Sequence, residues 1–350
     1  MCEMIRVSAS SKSYNIYFGK GALGTLPGVM GKVAPGCRAA LISDSNVYPL
    51  YGSRVEEMLA RAGILVSSFV FQAGERSKNK DTLFDFLEFA AKNSLTRSDT
   101  VIALGGGVTG DIGGFAASIY QRGIKVIQIP TSLLAMADSS VGGKTAIDLE
   151  AGKNLAGTFW QPEAVICDTS LLSTLPEKEF RDGCAEVLKY GIITDEKMFE
   201  ALEYGIGDQL EYAVKRSIEI KRDIVGLDER DHGLRGLLNF GHTVGHAVEK
   251  LSGFEITHGS AVAIGMVAAC RIAALLGTCD ITDRVEGALI RYGFGTKTPY
   301  PAALLSEALR SDKKRNTEGI SLILPEKLGK CVIRSFAFEE LDRLLIEAGL

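Results

Sequence analysis

TVIALGGGVTGD, from Thr100 to Asp111, decides the fold. Thr100 to Leu104 is an apolar run of strand length, followed by Gly105, Gly106 and Gly107 and then by a stretch that reads as a helix. Strand, GxGxxG spacing and helix start come in the order a pyrophosphate site needs. Glycine lets the backbone approach phosphate oxygens, and the N–H groups of the first helical turn face the negative charge. A tight packing turn would use the same glycines, so the spacing alone leaves both readings open.

On either side the pattern repeats. Tyr14 to Phe18, Ala39 to Ser43, Leu65 to Phe71, Lys125 to Ile129 and Ala164 to Asp168 read as further strands. Tyr51 to Ala62 and Lys80 to Asn93 carry apolar residues at helical spacing. Such alternation predicts an α/β domain with a mostly parallel sheet covered by helices. After Leu175 and Pro176 the character changes. Glu177 and Glu179 suit the positive end of a helix dipole, and successive helices follow to about Gly277. An extended piece at Ile320 to Leu324 and a last helix at Phe338 to Ala348 close the chain. The expected division is residues 1–175, a nucleotide-binding α/β domain, and residues 176–350, a mostly α-helical domain that binds metal and substrate. With 350 residues the chain exceeds what one core usually holds.

A net charge of −4 with no long basic run gives no reason to expect nucleic acid or an anionic membrane as partner. The apolar stretch Ala261 to Gly277 contains Arg271 and many small residues, and reads as a buried core helix. Seven scattered cysteines without a CxxC pair fit reduced thiols in the cytosol.

The common dinucleotide fingerprint puts a ribose-binding acid after the next strand, but here that strand runs into Pro130 and Thr131. The better acid lies upstream, where Asp44 and Asn46 follow the strand Ala39 to Ser43. Asp44 also fits an ordinary Asx turn or helix cap. As a ribose ligand it would select NAD over NADP, because it repels a 2′-phosphate.

Three of the four histidines fall between positions 242 and 258. Read as one helix, Gly233 to Leu251 puts Arg235, Asn239, His242 and His246 on a single face, which is costly to bury without ligands. His242 and His246, spaced i, i+4, could chelate a metal by themselves, with His258 as a third nitrogen and Glu186 as the carboxylate; histidines hydrogen-bonded inside a core remain the plainer alternative. HTVGH lacks the glutamate of HExxH, so a metalloprotease is not indicated. The cations Arg122, Lys144, Lys153, Lys189, Lys221, Arg235, Lys313 and Lys314 stand beside these motifs. Asp138 to Lys144 lacks the first glycine of a Walker loop, so an ATP site is poorly supported. Cations, a metal and bound NAD together suit a substrate with phosphate and carboxylate.

GGGVTGDIGGFAAS, TSLLAMADSSVGGKTAID, GCAEVLKYG, DERDHGLRGLLNFGHTVGHAVE and THGSAVAIGM, in this order over roughly residues 40 to 320, resemble 3-dehydroquinate synthases. The resemblance implies zinc, with cobalt as a substitute, on Glu186, His242 and His258, leaving His246 for substrate or proton transfer. It implies Asp138, Lys144 and Asn154 as substrate and chemistry residues. Arg122, Lys153, Lys189, Lys221, Arg235, Asn239 and Lys313 or Lys314 would hold the substrate's anionic groups and hydroxyls. NAD contacts fall on Asp44, Asn46, Glu75, Lys78, Gly105, Gly106, Gly107, Asp111, Thr131 and Ser132, with Asp138, Lys144 and Lys153. A homodimer is also implied. The implied reaction converts 3-deoxy-D-arabino-heptulosonate 7-phosphate to 3-dehydroquinate and phosphate, with NAD regenerated each cycle. Another sugar phosphate cyclase, such as 2-deoxy-scyllo-inosose synthase, and a polyol dehydrogenase of the glycerol dehydrogenase kind are the alternatives. Ser260 and Asp231 stand where the family commonly has Glu.

Overall fold

The computed structural model describes residues 2–310 and 319–350. Lys313 and Lys314 therefore lie outside the described residues. Two compact units emerge, Met1–Pro176 with Lys221–Arg230, and Glu177–Ile220 with Asp231–Leu350.

In the first unit the elements are β1 (Glu3–Ser8), β2 (Ser13–Phe18), α1 (Leu26–Val33), β3 (Ala39–Asp44), α2 (Ser53–Arg61), β4 (Val66–Phe71), α3 (Lys80–Lys92), β5 (Thr100–Gly105), α4 (Gly107–Ile119), β6 (Lys125–Pro130), β7 (Lys144–Leu149), β8 (Gly152–Phe159) and β9 (Ala164–Cys167). Seven strands form one sheet in the order β1-β2-β9-β6-β5-β3-β4. Every pairing in it is parallel except the β1–β2 hairpin. β3 and β5 are buried along their whole length, which is why they read as unbroken apolar runs.

The glycines of α4 are packing devices. A Cβ on Gly113 would lie 3.0 Å from both Ala103 and Ile42 of the sheet, and one on Gly114 only 2.4 Å from Thr145 of β7. Sheet and β7–β8 hairpin thus close on two sides of one helix. The strands of that hairpin are not among those expected from the sequence. The preceding loop ends at Gly143, and Lys144 opens a strand paired antiparallel with β8.

The second unit contains α5 (Glu177–Thr194), α6 (Glu196–Leu202), most of α7 (Leu210–Leu227), α8 (His242–Leu251), α9 (His258–Leu275), α10 (Thr282–Arg291), α11 (Ala302–Arg310), the antiparallel pair β10 (Ile320–Lys327) and β11 (Lys330–Phe336), and α12 (Phe338–Glu347). The last turns of α7 and the residues up to Arg230, read above as part of the second domain, belong with the first unit. α9 is long and apolar enough to cross a membrane, yet its length is largely buried against its neighbours as the core helix of this unit.

The single helix expected over Gly233 to Leu251 is broken. Leu234–Asn239 forms a tight 3₁₀ segment, Phe240 is extended, and Gly241 takes a left-handed φ of 78° before α8 begins at His242. Gly241 is needed twice over. Its φ suits glycine, and a Cβ there would lie 2.6 Å from Met266 and 2.8 Å from the Val262 carbonyl of α9. The break removes the shared face: Arg235 and Asn239 are not in helical phase with His242 and His246.

Candidate active site

In the first unit the candidate cofactor residues gather where β3, β5 and β6 end. Gly105 closes β5, Gly106 is the extended residue ahead of α4, and Gly107 opens that helix. Thr131 donates its N–H to the Gly105 carbonyl at 2.9 Å, and a Cβ on Gly106 would touch the Ser132 hydroxyl at 3.5 Å. The loop thus presents bare backbone beside a threonine and a serine, at the start of a thirteen-residue helix whose dipole favours an anion. Asp44 ends β3. Its Oδ1 accepts the N–H groups of Asn46 at 2.9 Å and Val47 at 3.0 Å, and its Oδ2 accepts the Thr109 hydroxyl at 3.3 Å. It is therefore an Asx turn, tied through Thr109 to the glycine helix.

A second group centres on Lys78. Its buried ammonium lies 2.6 Å from Asp111 Oδ2 and donates to Asn154 Oδ1 at 2.6 Å. Asn154, with φ 53°, donates its N–H to Asp148 at 2.7 Å, and Lys153 pairs with Glu75 at 3.7 Å. Burial works against the Lys78 charge, but Asp111 and Glu75 outweigh it and raise its pKa. For Asp111, burial prevails over the attraction of Lys78 and raises its pKa. The expected residues Glu75, Lys78, Asp111, Lys153 and Asn154 are thus one network; Asp148, which sequence reasoning missed, joins it.

Lys221 is the other buried cation of this unit. It pairs with the Asp138 carboxylate and donates to the Asp138 carbonyl at 2.8 Å. Lys144 is exposed at the start of β7. Arg122 follows the far end of α4, about 20 Å along the helix from Gly107.

In the second unit three elements converge on one carboxylate. Glu186 of α5 is buried, and its Oε1 lies 3.3 Å from His242 Nε2 and 3.2 Å from His258 Nε2. One ligand atom from each of the three lies within 4.8 Å of the others, a spacing that one metal ion can bridge. His242 and His258 each open a helix, so the meeting of α5, α8 and α9 builds the cluster. Lys189, one turn along α5, pairs with the other Glu186 oxygen. Burial opposes the Glu186 charge, yet Lys189 and His242 hold its pKa well below the ordinary value. Burial lowers the pKa of His242, whereas for His258 the bonds to Glu186 and Glu249 overcome burial and push it up to about 10.

The adjacent pair His242 and His246 is also close, with ring centroids 5.3 Å apart. His246 falls into a different group, with Glu249 and His258. Glu249 was missed in the sequence although it lies three residues after His246 on α8, at a spacing that marks the same face. Arg235 is fully buried, and Asn239 half-buried at the end of the 3₁₀ segment. Ser260 helps fix the turn before α9: Asp182 accepts its N–H at 3.2 Å and the Thr257 hydroxyl, and the Ser260 hydroxyl lies 2.8 Å from the Thr257 hydroxyl, to which it can donate.

Two family models cover the chain in sequence, 3-dehydroquinate synthase N-terminal over residues 68–182 and 3-dehydroquinate synthase C-terminal over residues 183–315. The chain belongs to the 3-dehydroquinate synthase family. It is an enzyme, 44% identical to the 3-dehydroquinate synthase of Caldanaerobacter subterraneus over 99% of this chain and all of that one. It is 42% identical to that of Thermoanaerobacter sp. strain X514 over 98% of this chain and 99% of the relative. Among solved structures, 2-epi-5-epi-valiolone synthase from Streptomyces hygroscopicus, with NAD+ and Zn2+ bound, superposes with a TM-score of 0.88 at 27% identity and 99% coverage of both chains. A 2-deoxy-scyllo-inosose synthase complexed with carbaglucose-6-phosphate, NAD+ and Co2+ gives 0.87 at 26%, covering 98% of this chain and 99% of that one. A probable glycerol dehydrogenase from Sinorhizobium meliloti, at 16% identity and a TM-score of 0.60, shares the fold alone.

Proposed function

We propose that the chain converts 3-deoxy-D-arabino-heptulosonate 7-phosphate to 3-dehydroquinate and phosphate, as a zinc- and NAD-dependent cytosolic homodimer. The observation that carries the metal chemistry is the convergence of Glu186, His242 and His258 within 4.8 Å, from three separate helices. Two imidazoles and a buried carboxylate are a donor set suited to zinc or cobalt, with room left in the coordination sphere for substrate oxygens. When bound, the metal supplies polarisation of the substrate hydroxyl that is oxidised. NAD, held by the residues at the ends of β3, β5 and β6, would supply a reversible hydride acceptor, which makes a redox-neutral cycle available.

This chain's own residues bind and orient. Gly105, Gly106 and Gly107 with Thr131 and Ser132 offer backbone and hydroxyl groups to the pyrophosphate. Asp44 fixes the turn that carries Asn46 towards the adenosine ribose. Lys78, held charged and paired with Asp111, positions the β7–β8 hairpin through Asn154, and with it Lys153 and Lys144 for substrate anions. Asp138 and Lys221 hold one another in place for a substrate hydroxyl or carboxylate. Lys189 keeps Glu186 ionised, which a cation ligand requires. His246 exchanges a proton with the substrate phosphate at a ring nitrogen, and Arg235 and Asn239 complete the polar lining. Loss of phosphate from the carbon next to the acidified C–H, with that proton passing to the phosphate group, needs no further cofactor, and ring opening and aldol closure follow on the bound eliminated intermediate once its ketone is reduced again. The fully buried guanidinium of Arg235 favours a substrate with a carboxylate over glucose 6-phosphate, which has none.

The test is turnover of the purified protein with zinc and a catalytic amount of NAD. Phosphate release from the heptulosonate phosphate without net NADH is expected. Net NADH formation with glycerol, or phosphate release from glucose 6-phosphate but not from the heptulosonate phosphate, would refute the reading.

A further inference from the structure

The two histidines of the metal cluster are held from behind in different ways. His242 turns Nδ1 to the backbone carbonyl of Phe240 at 3.1 Å and Nε2 to Glu186. His258 turns Nε2 to Glu186 at 3.2 Å, but its Nδ1 meets a carboxylate, Glu249 Oε2, at 3.4 Å. The Glu249 side chain is only 4% exposed, and an anion so deeply buried must be compensated. Its backbone is fixed as well. The Glu249 carbonyl accepts the Ser252 hydroxyl at 2.8 Å and the Phe254 N–H at 2.9 Å, so the last turn of α8 and the following reversal hold the residue under α9.

We infer that Glu249 is the positioning residue of the metal site. It accepts the Nδ1–H of His258, which leaves Nε2, on the side of Glu186, as the nitrogen that would ligate a shared metal and raises the basicity of that nitrogen. The inference rests on Glu186, His242 and His258 being the ligands. A carboxylate behind a ligating imidazole does both jobs more strongly than a carbonyl, because the bond is charge-assisted. The chain then has one histidine ligand backed by a neutral acceptor and one backed by an anion, and the metal's hold depends more on the second. The competing arrangement puts Glu249 itself on a metal, with His246 and His258. Because Glu249 faces the Nδ1 edge of His258, that arrangement would use Nδ1 as the donor.

The two differ at a single nitrogen, so the whole enzyme can be read without a substitution. Loaded with 113Cd and labelled with 15N-histidine, it has only four histidines to assign. Cadmium coupling is expected at Nε2 of both His242 and His258, with Nδ1 of His258 protonated. Coupling at Nδ1 of His258 would overturn the inference and place Glu249 on the metal. Coupling to neither histidine would remove the ligand set, and the inference with it. As a second measurement, Glu249→Gln should weaken metal affinity by about 10- to 100-fold in a chelator competition. NAD binding to the metal-free protein should be unchanged, which distinguishes lost positioning from a damaged fold. Metal affinity within about twofold of the parent would refute the role.

Discussion

Glu229 should tie the segment Lys221–Arg230 to the first unit through its charge, and pH should reveal it. One carboxylate oxygen accepts the Ser10 hydroxyl and the Ser11 N–H, the latter at 2.8 Å. The other accepts the Ser11 hydroxyl and the Gln161 amide, the latter at 2.9 Å. Burial opposes the charge, but these bonds outweigh it and hold the carboxyl at about 2, against an ordinary 4.5. At about 1.4 kcal/mol per tenfold change in proton affinity, that gap corresponds to roughly 3 kcal/mol. Ser10 and Ser11 are exposed, so solvent screening leaves about 2 kcal/mol. In Glu229→Gln one oxygen becomes an NH2 group that must face a donor, so the variant should be less stable by about this amount at pH 7. The sign follows from a folded pKa below the unfolded one: the contribution is complete above about pH 4.5 and lost as pH falls towards 2. About half should be gone by pH 3. Urea unfolding of both proteins at pH 7, 4 and 3 measures it, since the other titrating groups cancel in the difference. A stability difference that stays constant with pH, or is absent at pH 7, would refute the reasoning.

Gly241→Ala forces a side chain into a left-handed backbone and against Met266 and the Val262 carbonyl; a loss of about 2–4 kcal/mol is expected in denaturation, and a loss under 1 kcal/mol would contradict the close crossing of α8 and α9. Lys78→Met leaves the partly buried Asp111 without its cation, at a cost of about 1–3 kcal/mol, and raises the Kd for NAD. The double variant with Asp111→Asn should recover most of the stability but not the NAD affinity, and additive losses would argue against the pair. His258→Ala should lose bound metal, whereas His246→Ala should keep it and lose rate. Elemental analysis showing the reverse would return the ligand role to the adjacent pair.

What was legible in the sequence depended on how far apart the determining residues lie. β3 and β5 declare themselves because strands buried on both faces are apolar throughout, and the glycine loop because backbone needs glycine wherever the chain sits. The β7–β8 hairpin was hidden because Lys144 to Phe159 mixes charged, small and apolar residues, and its packing partner is a glycine helix some thirty residues earlier. The histidine face failed for a different reason. Helical spacing is informative only while the helix continues, and what ends it is Gly241, whose conformation is dictated by α9 rather than by its neighbours in sequence. The spacing favoured His242 with His246, whereas the structure carries Glu186 and His258 to His242 from other helices, a meeting that local periodicity cannot encode. Glu229 is the extreme case. Its partners Ser10 and Ser11 lie more than two hundred residues away, and nothing in DERD marks it as an anchor. Glu249 was within reach, since it stands two turns from His242 and one from His246 on the same helix. It was passed over because a buried acid after two histidines resembles an ordinary solvated residue until burial is known. Ligands can be sought by residue type, but the residues that aim them are recognised only once their surroundings are dry.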